Sequence, residues 1–188
     1  VQHEGSFDTS IQVRSDGYRV RISGNLSRFG RPDNLFGLPL SRCLAVASRV
    51  LAHYGLPAFT PGERVWNSRS DSYAWTGARI SRIDLTANFA SGSPDDAHAV
   101  MQYLGSQHAG RHTGRVLGDG ETVEWGRGSR RQYWKTYIKH KEMIRHNKAG
   151  HIPERLIQYA RDNGIIRLEG TLRSNSLTDI GSAFLGDY

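Results

Sequence analysis

The stretch from Ala78 to Ala90 alternates with a period of two: Ile80, Arg82, Asp84, Thr86 and Asn88 against Ile83, Leu85, Ala87 and Phe89. That period predicts an extended strand with one apolar face and one polar face. A second stretch, Ile165 to Arg173, repeats the pattern. Arg82-Ile83-Asp84-Leu85-Thr86 and Arg167-Leu168-Glu169-Gly170-Thr171 share the order Arg, apolar, acid, spacer, Thr. Each places a carboxylate between a guanidinium and a hydroxyl on a polar sheet face. A chain built on such strands needs helices to cover the apolar side, and it leaves a chemically loaded surface on the other.

Two carboxylates on neighbouring strands offer hard oxygen ligands to Mg²⁺ or Mn²⁺, with water and substrate phosphate completing the shell. Asp84 and Glu169 are the first candidates and Glu142 a third. Simple alternation from Tyr137 puts Glu142 on the opposite face, unless the strand bulges or ends before it. The competing reading is an ion-pair ladder in which Asp84 pairs with Arg82 or Arg167. Between the two acids lies Tyr137-Ile138-Lys139-His140-Lys141, in a segment Gln132–Glu142 that reads as a strand. There Lys139 shares the face of Tyr137, and Lys135 and Lys141 extend a basic row. A phenol ordinarily ionises near pH 10, so nearby ammonium groups are expected to ease formation of the phenolate. Tyr133 shares the face of Tyr137 and is its rival as a nucleophile. Tyr18, Tyr54, Tyr103 and Tyr159 read as structural, and Cys43 as buried helix packing.

The remaining elements follow from turn and cap chemistry. Ser15-Asp16-Gly17 turns a hairpin between strands near Ser6–Arg14 and Tyr18–Ser23. Pro39 opens a helix to about Tyr54, with Gly55 as its left-handed stop. Pro57 to Gly77 is irregular. Ser93-Pro94-Asp95-Asp96 caps a second helix. Asp119-Gly120 turns another hairpin, Pro153 begins a third helix, and a helix starts at Ser174. The fold class is α+β: a largely antiparallel central sheet with helices on one face. The strand–helix halves around Asp84 and Glu169 read as a duplicated unit. With 188 residues, the expected organisation is one catalytic domain over 1–188.

The formal charge is +7, from 25 Lys and Arg against 18 Asp and Glu. It points to a polyanionic partner, and its distribution sharpens that. Arg19 and Arg21 line one strand face, Arg130 and Arg131 sit in a Gly-rich region, and Trp125, Tyr133 and Trp134 interleave with the cations. No segment reaches the apolar length of a membrane span, so a membrane partner is not expected. The lone cysteine excludes an internal disulfide and fits a reducing compartment. No His-apolar-His string and no P-loop string occurs.

The order of strings resembles the filamentous-phage replication initiators, the gene II/gene X protein family. The matching strings are Ile80-Ser81-Arg82-Ile83-Asp84, Val123-Glu124-Trp125, Tyr137-Ile138-Lys139-His140-Lys141-Glu142 and Ile166-Arg167-Leu168-Glu169, with Asn34-Leu35-Phe36-Gly37 upstream. The Tyr-x-Lys-x-x-Glu arrangement also resembles rolling-circle plasmid initiators of the Rep_trans type. The resemblance implies an origin-specific nickase in rolling-circle replication. Tyr137 would be the nucleophile, and Lys139 would stabilise phosphate charge. Asp84, Glu169 and Glu142 would bind Mg²⁺ or Mn²⁺. Arg19, Arg21, Arg82, Arg130, Arg131, Lys135, Lys141 and Arg167 would contact DNA. It further implies phage or plasmid origin DNA as substrate, a host replication helicase and single-strand-binding protein as partners, and action in the bacterial cytoplasm. Family members are usually longer, so the chain reads as a fragment of such an initiator. Two other readings stay open on the residues alone: a metal nuclease that activates water, and a DNA-binding module without catalysis.

Overall fold

Three short strands precede the first helix: β1 (Gln2–Gly5), β2 (Thr9–Ser15) and β3 (Val20–Gly24), joined antiparallel in that order. The computed structural model describes residues 1–188. Asp16 makes the β2–β3 turn: its Oδ1 accepts the Tyr18 and Arg19 amides at 3.0 and 2.7 Å. Those two backbone donors hold its carboxyl below the usual carboxylate range. Helix α1 (Leu40–His53) starts after Pro39, and Gly55 follows it at φ 65°. Val46, Val50 and Leu51 of α1 bury against Ile11 and Val13 of β2. These elements form one compact unit, residues 1–60 with 149–153; residues 61–148 and 154–188 form a second.

The second unit begins where the sequence reads as irregular. β4 (Arg64–Asn67) and β5 (Ser72–Trp75) pair as a hairpin, with Trp66 and Tyr73 stacked edge-on outside it. Their side chains are exposed, so no apolar face announces these strands. Then come β6 (Arg82–Ala90), α2 (Pro94–Gly105), and three short strands: β7 (His108–Ala109), β8 (His112–Thr113) and β9 (Arg115–Leu117). β10 (Thr122–Trp125), β11 (Gln132–Ile138), α3 (Lys139–His146), α4 (Glu154–Asp162), β12 (Ile165–Arg173) and α5 (Ser174–Asp179) complete it. Ser93 caps α2 by accepting the Asp96 amide at 3.1 Å.

Five of these strands form an antiparallel sheet in the order β6-β12-β11-β10-β9. Ala97 and Met101 of α2 pack on its apolar face, against Val123, Trp125, Ile138 and Ile166. Burial of side chains of this size stabilises by about 1.5–3 kcal/mol each. The architecture is α+β, as the patterning predicts.

One boundary differs from the expected one. The strand through Tyr137 stops at Ile138, and Lys139 to His146 is helix, where the pattern reads as strand to Glu142. Lys139 is fully buried and bonds Glu142 at 2.6 Å. Helical i,i+3 spacing joins the two side chains, and a buried ammonium strongly requires such a partner. The tyrosines also differ from expectation: Tyr18, Tyr103 and Tyr159 are exposed.

On the apolar face Gly170 lies directly opposite Trp134. A Cβ at Gly170 would collide with the Trp134 ring. Gly170→Ala is therefore expected to cost about 1–3 kcal/mol of stability, read as a lowered denaturant midpoint at unchanged slope.

Candidate active site

The register puts the polar side chains into three rows across the sheet. In the first, Asp84 stands opposite Thr171, and Thr171 opposite Tyr133. The second runs Thr86, Glu169, Lys135, Glu124, Arg115. The third runs Asn88, Arg167, Tyr137, Thr122. Opposite charges thus face each other from Glu169 to Arg115, the favourable cross-strand arrangement. Asp84, Glu169 and Tyr137 share this face.

Tyr137 is the buried centre of the site, 3% exposed. Its Oη donates to Glu169 Oε1 at 2.6 Å, and the Lys135 ammonium lies 4.6 Å from the ring centroid. Lys135 also pairs with Glu169 at 3.1 Å. The Lys139 ammonium is 5.7 Å from the same ring and is held by Glu142. Burial pushes the Lys139 ammonium below its ordinary value, against the pull of Glu142. Glu142 reaches this end of the sheet because β11 ends before it.

The electrostatics run opposite to the expectation that lysines favour the phenolate. Burial, then the charges of Glu142 and Glu169, push the Tyr137 phenol well above its ordinary value. Both lysines are neutralised by these same carboxylates, so they do not offset the burial. Tyr137 is held as a protonated donor to Glu169.

Tyr133 is committed elsewhere. Its hydroxyl donates to Glu124 Oε2 at 2.7 Å, and burial with that bond pushes it up to about 12. Glu124 is buried, and Arg115 and Arg127 pair with it at 3.6 and 3.2 Å. Sequence reasoning gave Glu124 no role. The signal was an acid between Val123 and Trp125, on the same alternation as Tyr133.

Asp84 adopts the ion-pair alternative. Arg82 grips both its oxygens at 3.0 and 2.9 Å, and Thr171 Oγ1 donates to it at 2.6 Å. Arg82 and Asp84 are 56% and 50% exposed, so water screens the pair and it exchanges readily. Glu169 is diagonal to Asp84, opposite Thr86. No three His, Cys, Asp or Glu side chains gather into a metal cage. The donors present are two carboxylates on one face with Glu142 beside the tyrosine. Mg²⁺ commonly takes one or two carboxylates plus substrate phosphate, so the donor chemistry fits such an ion.

The other predicted contacts are spread widely. Arg167 is buried, and its Nε donates to Asn88 Oδ1 at 2.9 Å. Lys141 lies on α3 and pairs with Glu121 at 3.4 Å, outside the expected strand row. Arg131 pairs with Asp179, and Arg130 is exposed in the loop before β11. Arg19 and Arg21 belong to the first unit.

Residues 2–188 match the family described by the N-terminal part of the phage replication-associated protein, the gene II product. The chain belongs to this family. It is 32% identical over 190 residues to the replication-associated protein of Escherichia phage If1, covering 89% of the chain and 58% of that relative. It is 28% identical over 198 residues to the replication-associated protein of Enterobacteria phage I2-2, covering 98% and 55%. The chain thus spans little more than half the length of these relatives. No solved structure matches it. No helix is long and apolar enough to cross a membrane.

The phenol predicts a pH signature. Its folded value lies above its unfolded value near 10. Its contribution to stability is then complete below pH 10 and lost as pH rises above it, where the unfolded chain ionises. Denaturant unfolding at pH 9 and pH 11 should show a larger loss for the natural protein than for Tyr137→Phe. An equal loss in both would contradict the burial-driven shift.

Proposed function

We propose that the chain carries the nicking and joining centre of a rolling-circle replication initiator, acting on origin DNA in the bacterial host's cytoplasm through Tyr137. One observation carries the reading: a buried tyrosine hydroxyl 2.6 Å from a carboxylate, with two lysine ammoniums over its ring. A protonated phenol needs a base within hydrogen-bond reach to attack phosphorus, and Glu169 occupies that place. Family membership supports a role in phage replication.

In the proposed step the scissile phosphate settles against Lys135 and Lys139, and Lys135 lifts from the ring to admit it. Tyr137 Oη attacks phosphorus while its proton passes to Glu169. A phosphorus–oxygen bond forms to the tyrosine, and the bond to the 3′-oxygen breaks. The departing oxygen takes up a proton and becomes a 3′-hydroxyl. One phosphodiester replaces another, so the 5′-phosphotyrosine link retains the bond energy for rejoining. Lys139, fixed by Glu142 and fully buried, presents a positioned cation to the charge developing on the phosphate. Asp84 and Glu169, with Glu142, would hold Mg²⁺ or Mn²⁺, which when bound supplies Lewis-acid stabilisation of that charge. Arg82 is the residue that releases Asp84 for this purpose. Exposed Arg130 would meet the strand in the loop before β11. A host helicase and single-strand-binding protein complete the proposed partners.

Hydrolysis by activated water is favoured by the burial of the phenol, and it predicts a free 5′-phosphate. Incubation with labelled single-stranded oligonucleotide and Mn²⁺ decides. The expected product is a denaturation-resistant adduct, absent in Tyr137→Phe and in EDTA, with DNA binding retained. Glu169→Gln should slow adduct formation about 10²- to 10⁴-fold. An adduct that survives Tyr137→Phe and disappears in Tyr133→Phe would move the role to Tyr133.

A further inference from the structure

The first unit carries a surface that the tyrosine chemistry does not use. Its three-stranded sheet packs one face on α1, through Ile11 and Val13. The other face is built of guanidinium, amide and hydroxyl groups. Gln12 stands directly opposite Ser23, and Arg14 directly opposite Arg21. All four are exposed, and no carboxylate pairs with either arginine. Like charges directly opposite in an antiparallel pair destabilise the sheet unless an anion lies between them. Arg19 continues the alternation from Arg21, and Tyr18 is 98% exposed at the turn. Asp16 spends its charge on the backbone amides of that turn, and Glu4 lies on the far strand β1.

We propose that this face is a duplex-reading surface, with β2 and β3 as a two-stranded ribbon in the major groove of DNA. The major groove admits such a ribbon. Arginine reads guanine through two donors, glutamine reads adenine, and serine serves either. The pair Arg14 and Arg21 supplies charge and direct readout together, and Arg19 with Tyr18 meets the backbone at the ribbon's tip. The charge complementarity is one-sided: the cations of this face have no internal acid to satisfy, so phosphate and base edges are their natural partners. The inference rests on the reading of the chain as a DNA-acting initiator, and not on the tyrosine step.

Selection from a pool of 30-base-pair duplexes with a randomised core, using the whole chain in EDTA, tests it. The chain should enrich a guanine-containing motif. Arg14→Ala/Arg21→Ala should bind the enriched duplex at least tenfold more weakly, with the salt slope reduced by about two. Arg14→Lys/Arg21→Lys should keep the salt slope and lose the motif, because an ammonium lacks the two-donor fork. Both variants should still form the tyrosine adduct on a short single-stranded oligonucleotide, which separates a failure here from a failure of the catalytic reading. No motif from the natural chain, unchanged binding by the alanine variant, or an unchanged motif from the lysine variant would each overturn the proposal.

Discussion

The packing of Trp134 over Gly170 fixes more than the apolar face it belongs to. Those two residues are cross-strand partners on β11 and β12, and only a residue without a Cβ leaves room for the indole. That contact locks one register. In it, on the reverse face, Lys135 meets Glu169 and Tyr137 meets Arg167. A slip of one residue would turn Tyr137 and Lys135 into the apolar side and bring Trp134 out among the charges. The candidate chemistry is therefore held in place by packing on the side of the sheet that never touches a substrate.

Within that register the charges consume one another. Glu169 takes the Tyr137 proton donor and Lys135, Glu142 takes Lys139, and Glu124 takes Tyr133 with Arg115 and Arg127. A buried ionised group without such partners would cost several kcal/mol. The resulting face is neutralised from within, and its tyrosine is a poor nucleophile until something displaces a partner. A phosphodiester does so on electrostatic grounds, because it gives the lysines a second anion and frees Glu169 to act as a base. Dormancy without DNA and competence with it would then share one cause.

The central strands and the α+β class were legible because alternation is a local property. Arg82 to Phe89 and Ile166 to Leu172 announce both their extension and their faces, and Ser93, Gly55 and Asp119-Gly120 announce caps and turns through side-chain and backbone chemistry. The β4–β5 hairpin was not legible because its residues are exposed and show no two-faced pattern. The end of β11 was hidden for a different reason. Tyr137, Lys139 and Lys141 continue the alternation in the sequence, while the chain bends into α3 to give buried Lys139 an acid one helical turn away. Glu124 was missed because an acid between two large apolar residues reads as a strand's exposed face. Only the tertiary arrangement shows Tyr133 and two arginines closing over it.

The same comparison separates the cations by use. In the second unit, Arg82, Arg115, Arg127, Arg131, Lys135, Lys139 and Lys141 all have carboxylate partners, and Arg167 holds Asn88. Spacing alone made these residues and Arg19 and Arg21 look alike, one basic population suited to a polyanion. Partnering divides them. The cations around Tyr137 build and neutralise a site, and an arriving phosphate must compete for them. Arg14 and Arg21 face each other with nothing to neutralise them, and an arriving phosphate relieves a repulsion instead. Net charge is shared by both groups, but only the second is free to contribute its full electrostatic attraction to binding, so the first unit is where affinity for duplex DNA should reside.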